Sequence, residues 1–390
     1  MPETADVVVI GGGVIGSACA YWLTRMRPGL RVTVLERDTT YARAATALSV
    51  ASVRQQFSSA VNVAISRFGI DFIRNFAERL GHPAGDLGLR ENGYLFVTAS
   101  PDNAATMAEL ASMQNALGAA TAVLTPEAIL ARFPWMTVDD LVAGSFGTRD
   151  EGWFDNMGLL HGFRDAARAQ GAVFRRGEAA RIDLAGGRAT AVGLAGGGRI
   201  DAGAVVNAAG TRAAALMREA GLDLPVEPRK RTVFVIDAPN ARHPDAPLLI
   251  DRGYYLRPEQ GHWITATVPD DDGPCDVDDF EPDLHLFEEA IWERLYARAR
   301  GFDAVKVIRH WVGHYDYNRL DQNAVLGPWP GTSGLYVASG FSGHGLQQAP
   351  AIGRGLAEQV LTGAWQTLDL SPLGVDRILA GRPLLERAVV

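Results

Sequence analysis

The N-terminal pattern is an apolar run, a glycine-rich segment and a second apolar stretch. Residues 7–10 (Val-Val-Val-Ile) form a continuous apolar run, which is typical of a strand buried on both faces. Glycines follow within residues 11–16, and residues 17–23 continue with the small and apolar side chains of a buried helix. The pattern predicts a strand, a tight glycine turn and a helix that begins at the turn.

This order of elements is typical of a dinucleotide-binding site. Gly11 permits the tight turn, Gly13 lets the backbone approach a pyrophosphate, and Gly16 lets helix and strand pack closely. The helix N-terminus then presents free N–H groups to the phosphates. The next predicted strand, residues 31–36, ends in Glu36, which lies 20 positions after Gly16 (36 − 16). Glu36 suits a ribose diol and argues against NADP, while NAD and FAD both remain open.

The middle of the chain is rich in short strands. We predict strands at residues 93–98, 232–236, 254–257 and 262–267, and short antiparallel strands at 172–175, 193–194 and 199–201. The predicted helices are residues 61–80, 102–117, 155–170 and 284–299.

A second strand–glycine–helix unit closes the chain. Residues 334–339 predict a strand, 340–345 a glycine loop and 347–361 a helix. Earlier, the apolar strand at residues 204–210 ends in small side chains, which would let a flat ligand approach the sheet. Close packing against a helix explains that strand almost equally well.

Length and composition fit a globular protein of two domains or one elaborate α/β body. The chain has 390 residues, of which 47% are hydrophobic and 21% charged, and its formal net charge is −8. This net negative charge argues against nucleic-acid binding, and an anionic ligand must be held by local arginines. Lys230 and Lys306 are the only lysines.

The two cysteines exclude a disulfide framework. Cys19 and Cys275 show no metal-binding spacing, and we expect no metal. No apolar run reaches membrane-spanning length, so we expect no transmembrane segment. The first strand begins soon after Met1, and we therefore expect no leader peptide and a cytoplasmic location.

Three separated segments together resemble one family. Residues 11–16 with Glu36, residues 205–210 and residues 340–345 resemble the FAD-dependent amine and amino-acid oxidoreductases, the D-amino-acid oxidase superfamily. That family includes glycine oxidase, monomeric sarcosine oxidase, dimethylglycine dehydrogenase and D-amino-acid dehydrogenases. Further segments are most similar to the mitochondrial FAD-dependent oxidoreductase-domain proteins: residues 48–50 with 54–58, 228–231, 315–318 and 342–350. The resemblance favours FAD over NAD.

The resemblance implies an α/β fold with two domains. An FAD-binding Rossmann-like domain would comprise residues 1–90, 150–220 and 320–390. A second, α+β substrate domain, residues 91–149 and 221–319, would be built on a mostly antiparallel sheet that roofs the flavin.

The resemblance also assigns cofactor-binding residues. The first glycine turn would hold the pyrophosphate, Glu36 the adenosine ribose, and the second glycine loop the flavin pyrimidine edge, where a helix N-terminus favours the charge of the reduced flavin. The residues so assigned are Gly11, Gly13, Val14, Ile15, Gly16, Glu36, Arg37, Thr46, Ser49, Val50, Ala179, Ala208, Ala209, Gly210, Gly313, Gly343, His344, Gly345, Leu346 and Gln347.

Substrate chemistry requires a carboxylate clamp and a polar group near the amine. Strand alternation places Tyr255 and Arg257 on one face of the strand 254–257, and the resemblance places Tyr255 before the substrate. Arg54, Arg231 and Arg257 are candidates for the clamp, although each alone could be structural. His344 either contacts the flavin ring or lies in a loop that uses only its backbone amides. An interior tyrosine with a satisfied hydroxyl is the alternative for Tyr255.

The chain departs from its relatives in three places. Residues 313–315 (Gly-His-Tyr) replace the Gly-Leu-Arg of glycine oxidase and D-amino-acid dehydrogenases, which puts a simple α-amino acid in doubt. The roof strand 262–266 lacks the lysine that promotes the oxygen reaction in sarcosine oxidase. The flavin-linking cysteine falls near His314, and residues 45–51 contain no flavin-linking histidine, so we expect non-covalent FAD. A histidyl link through His314 is the alternative.

These features predict an FAD-dependent dehydrogenase that oxidises the carbon beside an amine nitrogen in a secondary or tertiary amine or amino acid. Its electron acceptor would be a quinone, an electron-transfer flavoprotein or dioxygen. Two alternatives are a 2-hydroxy acid dehydrogenase of the same fold and a flavoprotein that acts mainly as an assembly or binding partner.

Overall fold

The computed structural model describes residues 3–81 and 85–387. The strands are β1 Glu3–Ile10, β2 Val32–Glu36, β3 Ser52–Val53, β4 Tyr94–Thr98, β5 Thr121–Leu124, β6 Ala143–Gly147, β7 Gly152–Trp153, β8 Val173–Arg176, β9 Ala179–Ala185, β10 Arg188–Leu194, β11 Arg199–Asn207, β12 Val226–Asp237, β13 Leu248–Asp251, β14 Tyr254–Glu259, β15 His262–Thr267, β16 Lys306–Asn318, β17 Val325–Pro328 and β18 Leu335–Ser339. The α-helices are α1 Val14–Met26, α2 Ala60–Arg74, α3 Phe76–Leu80, α4 Pro101–Ala116, α5 Pro126–Arg132, α6 Asn156–Ala169, α7 Ala213–Glu219, α8 Trp292–Arg298, α9 Gly345–Thr362 and α10 Val375–Leu379.

The first sheet is mostly parallel and has the order β17-β18-β11-β1-β2-β8, with the hairpin β9–β10 attached to β11. Its central strand β1 is apolar on both faces because both faces are covered. Val7 and Val9 pack into the core beneath α1, α6 and α9. Val8 and Ile10 pack into the core on the opposite side, with α7. The continuous apolar run at residues 7–10 follows from this double cover.

The second sheet has the order β16-β12-β15-β14-β13-β4-β6-β5, and every neighbouring pair in it is antiparallel except β13 with β4. A core that includes Phe234, Tyr254, Trp263 and Phe302 covers one of its faces. The other face is turned toward the first sheet. The predicted α/β class, with a second and mostly antiparallel sheet, is confirmed.

Three predicted elements differ in detail. The strand at residues 172–175 is β8, which pairs in parallel with β2 because the crossover helix α6 returns the chain to the same end of the sheet. The helix predicted over residues 61–80 is interrupted at Asn75, whose side-chain amide donates to the Asp71 carbonyl (3.0 Å). The helix predicted over residues 284–299 opens with a π-helical turn, Phe287–Ile291.

Helices α1 and α9 lie in close contact, and a glycine makes this possible. A Cβ atom on Gly353 of α9 would lie 2.7 Å from the Ala18 Cβ and 2.9 Å from the Cys19 nitrogen of α1. The close crossing brings the N-termini of both helices toward the same region between the two sheets. Among helices within the described ranges, none is both long enough and apolar enough to cross a bilayer.

Candidate active site

A cavity of about 850 Å³ lies between the carboxyl ends of β1, β2 and β11 and the inner face of the second sheet. This is where open α/β sheets bind ligands. Of the predicted cofactor residues, all but Gly16 line it: Gly11, Gly13, Val14, Ile15, Glu36, Arg37, Thr46, Ser49, Val50, Ala179, Ala208, Ala209, Gly210, Gly313, Gly343, His344, Gly345, Leu346 and Gln347. Of the predicted catalytic residues, Tyr255, Arg54, Arg231 and His344 line it and Arg257 does not.

The first glycine turn brings three backbone segments into close contact. Gly11 has φ +97°, and a Cβ there would lie 2.4 Å from the Ala208 carbonyl oxygen. A Cβ on Gly16 would lie 1.9 Å from the Gly11 carbonyl oxygen, which explains why Gly16 is covered and does not line the cavity. At Gly13 the nearest atom to such a Cβ is the Thr46 Oγ1 at 3.5 Å. The backbone of Gly13 is therefore accessible from the cavity.

Helix α1 begins at this turn. Its N-cap residue, Gly13, has no side chain that could accept from the first-turn N–H groups. One of these groups, the Val14 N–H, donates to Thr46 Oγ1 (3.1 Å). The remaining N–H dipoles and the positive end of the helix face the cavity, which suits a phosphate.

Glu36 is fixed at the end of β2 by two backbone groups. Its Oε2 accepts from the Gly12 N–H and its Oε1 from the Asp38 N–H, each at 2.8 Å. Burial raises the pKa of Glu36. The carboxylate keeps lone pairs on its cavity side, where it can accept from vicinal hydroxyls. Ala179, Ala208 and Ala209 also line the cavity.

The second glycine loop joins β18 to α9 and has left-handed backbone at three positions. Gly340 (φ +75°), Ser342 (φ +51°) and Gly343 (φ +96°) make the sharp reversal. A Cβ on Gly343 would lie 2.8 Å from the Tyr315 ring, so only glycine fits without a shift. Helix α9 then starts with no side-chain cap from its N-cap residue, His344. A second uncapped helix N-terminus thus faces the cavity.

Asp316 holds this loop in place. Its carboxylate accepts from the Gly340 N–H (2.8 Å), and its backbone carbonyl accepts from the Ser342 N–H (3.1 Å). Burial raises the pKa of Asp316 to about 6. Asp316 was not predicted as a site residue, because an acid within an aromatic strand gives no sign of which loop it will support.

Aromatic side chains form the wall of the cavity on the second sheet. Tyr94, Phe96, Tyr255 and Tyr315 all line it. Burial raises the pKa of Tyr255 well above its ordinary value, so its phenol stays protonated. The structure therefore places Tyr255 in the cavity wall together with Tyr94 and Tyr315.

Arg54 is a buried guanidinium with neutral partners. Its Nη2 lies 3.1 Å from Nε2 of His344, and its Nη1 donates to the Gln56 carbonyl. The guanidinium also lies over the Phe57 ring, 4.0 Å from the centroid. Within residues 3–81 and 85–387, no carboxylate lies at ion-pair distance from Arg54. Burial, together with the Arg54 charge, lowers the pKa of His344 to about 3, so the imidazole is neutral.

The other two candidate arginines already have carboxylate partners. Arg231 binds Asp272 through both nitrogens, with Nη1 at 2.6 Å from Oδ1 and Nη2 at 2.9 Å from Oδ2. Arg257 pairs with Glu259, donates to the Val50 carbonyl and lies over the Trp153 ring. Arg257 thus lies outside the cavity lining and supports the loop that contains Val50.

His314 lines the cavity but has its own partners. Its Nε2 lies 2.6 Å from the Asp279 carbonyl oxygen, and its ring stacks on Phe280 with 4.4 Å between centroids. The imidazole therefore connects β16 to the acidic segment that follows β15.

A buried acid, Glu151, lies behind Arg54. Its Oε1 accepts from the Gln55 N–H (2.6 Å) and its Oε2 from the Gln56 side-chain amide (2.8 Å). Burial raises the pKa of Glu151 to about 7. The contacts span 96 and 95 positions of sequence, and no local pattern indicated them.

Comparison with known proteins identifies a family over most of the chain. The family described as "DAO: FAD dependent oxidoreductase" matches residues 6–359. The chain is 39% identical, over all of its length and 88% of the relative's, to FAD-dependent oxidoreductase domain-containing protein 1 from Bos taurus. It is 26% identical to mitochondrial dimethylglycine dehydrogenase from Mus musculus, over 95% of this chain and 44% of that protein.

Solved structures of the same fold also match. L-proline dehydrogenase from P. horikoshii has a TM-score of 0.86 at 25% identity, covering 98% of this chain and 100% of that one. Glycine oxidase from Geobacillus kaustophilus has a TM-score of 0.80 at 24% identity, covering 95% and 98%. The second likeness concerns the fold alone.

Glu151 generates a pH-dependent prediction. Its pKa is higher in the folded chain than the ordinary 4.5, so folding is progressively disfavoured as pH rises from about 4.5 to about 7. Glu151→Gln lacks this titration. Its free energy of unfolding relative to wild type should therefore rise by about 2 kcal/mol between about pH 5 and about pH 7.5. Urea denaturation at both pH values measures this difference.

The exposed acid Glu109 provides the matched control, since Glu109→Gln should show no such rise. A stability difference between Glu151→Gln and wild type that does not change with pH would show that Glu151 is ionised throughout.

Proposed function

The chain belongs to the FAD-dependent oxidoreductase family and is an enzyme of the type that acts on amino acids and amines, and we propose that it is a dehydrogenase. Its proposed substrates are secondary or tertiary amino acids. Its cavity would hold FAD, and the bond oxidised would be the C–H beside the nitrogen. The observation that carries the proposal is the convergence of the N-termini of α1 and α9, whose N-cap residues give no side-chain cap, on a cavity that Arg54 and three tyrosines also line.

The residues present fit FAD along the whole cavity. Glu36 would accept from the ribose hydroxyls, and the backbone at Gly13 with the start of α1 would bind the pyrophosphate. The small residues Ala208 and Ala209 leave room for the ribityl chain. The second glycine loop and the start of α9 would face the pyrimidine edge, which carries negative charge after reduction.

We further propose that the domain division follows the two sheets. Residues 1–90, 150–220 and 320–390 would form the FAD-binding domain, and 91–149 and 221–319 the substrate domain. The strands of the first sheet all come from the former ranges and those of the second from the latter, which supports this division.

Arg54 is the proposed carboxylate clamp. It is the candidate arginine that lines the cavity and has no carboxylate partner within the described residues, so its positive charge is available to a ligand. A guanidinium fork matches a carboxylate in two contacts. Arg231 cannot offer the same fork while Asp272 occupies it.

The amine would lie against the tyrosine wall. Tyr94, Tyr255 and Tyr315 present aromatic rings to the cavity, which suit an ammonium group and its methyl substituents. His344 is neutral and can accept or donate one hydrogen bond beside the reacting carbon. Bound FAD supplies hydride acceptance, and the chain orients the C–H, excludes bulk water and holds the carboxylate. Water then hydrolyses the imine product.

The positions of the lysines support a dehydrogenase over an oxidase. Lys230 pairs with Asp279 and Asp283, and Lys306 lies at the exposed start of β16. Neither lines the cavity. The roof strand β15 thus brings no ammonium group to a site where dioxygen would react, and a quinone or an electron-transfer flavoprotein is the proposed acceptor.

Non-covalent attachment of FAD has structural support. Cys19 is buried within α1, and Cys275 does not line the cavity. The Nε2 atom of His314 is engaged with the Asp279 carbonyl and its ring is stacked on Phe280. The two cysteines therefore do not line the cavity, and His314 is held by its own partners.

The clamp can be tested by reduction of the bound flavin under anaerobic conditions. N-methylated amino acids should bleach the flavin, and the matching amines without a carboxylate should do so far more slowly. In Arg54→Gln, the apparent second-order rate constant of reduction by the amino acid should fall by on the order of 100-fold. The rate constant with the carboxylate-free amine should be nearly unchanged.

Arg132→Gln is the control, because Arg132 also lies over an aromatic ring, that of Phe146, but does not line the cavity. Equal reduction of wild type and Arg54→Gln by the amino acid would remove Arg54 from the proposed role. Reduction by 2-hydroxy acids in place of amines would overturn the substrate class.

The acceptor can be tested with the reduced enzyme. After anaerobic reduction, an artificial quinone should reoxidise the flavin at least about 100-fold faster than air-saturated buffer does, because no lysine faces the flavin. Stopped-flow absorbance measures both rates. Rapid reoxidation by dioxygen, with one hydrogen peroxide per turnover, would identify an oxidase.

A further inference from the structure

The acidic segment that follows β15 forms part of the cavity wall. Residues 270–283, here called the acidic strap, contribute Asp272, Val277 and Phe280 to the lining. The strap is attached to the basic run of β12: Lys230 pairs with Asp279 and Asp283, and the Pro228 carbonyl accepts from the Cys275 N–H. Its outer edge is attached to the other sheet through Arg212 and Asp278.

Within this strap, Asp272 has a different environment from the other acids. Its two carboxylate oxygens meet the two terminal nitrogens of Arg231 at 2.6 and 2.9 Å, and Oδ2 also accepts from Arg229 (3.1 Å). Arg231 and Asp272 both line the cavity. This parallel two-bond geometry is the one in which an arginine binds a free carboxylate ligand.

The local charges balance only with Asp272 in place. Arg229 is neutralised by Glu227 at 2.7 Å, and the side-chain exposure of Arg231 is only 9%. Its guanidinium lies over the Tyr315 ring, 5.0 Å from the centroid, on the tyrosine wall of the cavity. Without the Asp272 charge, the cavity would contain a second buried guanidinium without a counter-ion, in addition to Arg54.

We propose that Asp272 is a specificity-determining residue that fills an anion site at Arg231, so that the cavity accepts one ligand carboxylate, at Arg54, and rejects ligands that carry two. The inference rests on the proposed function only for the role of Arg54. A dicarboxylic ligand would have to bring its second carboxylate toward Arg231, where Asp272 already occupies the fork and repels a like charge.

Calorimetric titration of the purified holoprotein tests this with acetate and with a series of dicarboxylates from malonate to adipate. In wild type, no dicarboxylate should bind more tightly than acetate. In Asp272→Asn, the ratio of the association constant of the best dicarboxylate to that of acetate should rise roughly tenfold or more. The reason is that Arg231 can then form a charge-assisted pair with the second carboxylate of the ligand. Asp272→Asn with Arg231→Gln should lose this gain.

Asp278→Asn separates specificity from loosening of the strap, since Asp278 holds the same segment but does not line the cavity. An equal gain in Asp278→Asn, or no gain in Asp272→Asn at any chain length, would overturn the proposal. Should Asp272→Asn fail to fold, Arg231→Gln in the wild-type background decides through the same ratio of association constants. The ratio for the best dicarboxylate over acetate should stay within about twofold of wild type, because Asp272 already keeps ligands from Arg231. A tenfold fall in this ratio would show that a dicarboxylate uses Arg231 in wild type and would contradict the proposal.

The calorimetric readout does not depend on turnover. If acetate fails to bind wild type, or binds Arg54→Gln equally well, the proposed role of Arg54 fails. In that case, the rise in relative dicarboxylate affinity in Asp272→Asn still shows separately whether Asp272 blocks an anion site at Arg231. Failure of the Arg54 role and failure of the Asp272 role are therefore distinguishable.

Discussion

The structure depends on two helix starts, those of α1 and α9, whose N-cap residues Gly13 and His344 offer no side-chain acceptor to the first-turn backbone amides. Helices α1 and α9 begin at glycine turns that carry no side-chain cap, and their close crossing at Gly353 aims both N-termini at one cavity. Buried N–H groups need partners, and two positive helix ends side by side repel one another unless an anion lies between them. A pyrophosphate would offset these costs at α1, and the pyrimidine edge of a flavin, which accepts hydrogen bonds and carries negative charge after reduction, would offset them at α9. The glycines at positions 11, 16 and 343 are required because any Cβ there would collide with neighbouring backbone or ring atoms.

Most charged side chains around the cavity have partners within the protein. Glu36 and Asp316 are both carboxylates held by backbone N–H groups, the first at the end of β2 and the second beneath the second glycine loop. Arg231 has Asp272 as its counter-ion, whereas Arg54 has only neutral partners. Among the described residues, Arg54 is therefore a buried positive charge that lines the pocket beside the aromatic wall and has no carboxylate at ion-pair distance. This distribution of charge, more than the fold, limits what the enzyme can bind.

The sequence predicted those features that depend on neighbouring residues. The strand–glycine–helix units at both ends, the acid at Glu36 and the alternation that turns Tyr255 toward the cavity all follow from local pattern, and the structure has them. It also indicated Arg257 equally with Arg54 and Arg231, because alternation gives the face of a strand but not what covers that face. Asp272, Asp316 and Glu151 escaped prediction as site residues. Their partners Arg231, Gly340 and Gln55 lie 41, 24 and 96 positions away, and such pairings form only when distant parts of the chain come together in the fold.

The central claim is that one cavity, bounded by both glycine loops, binds FAD with its ring between α9 and the tyrosine wall. A crystal structure of the coloured holoprotein tests it most directly. The account predicts electron density for one FAD per chain, with the ribose at Glu36, the pyrophosphate at the start of α1 and the pyrimidine edge at residues 343–347, with Tyr255 and Arg54 on the open side of the ring. Density that places the flavin outside this cavity, or that leaves the start of α9 to a different ligand, would contradict the account.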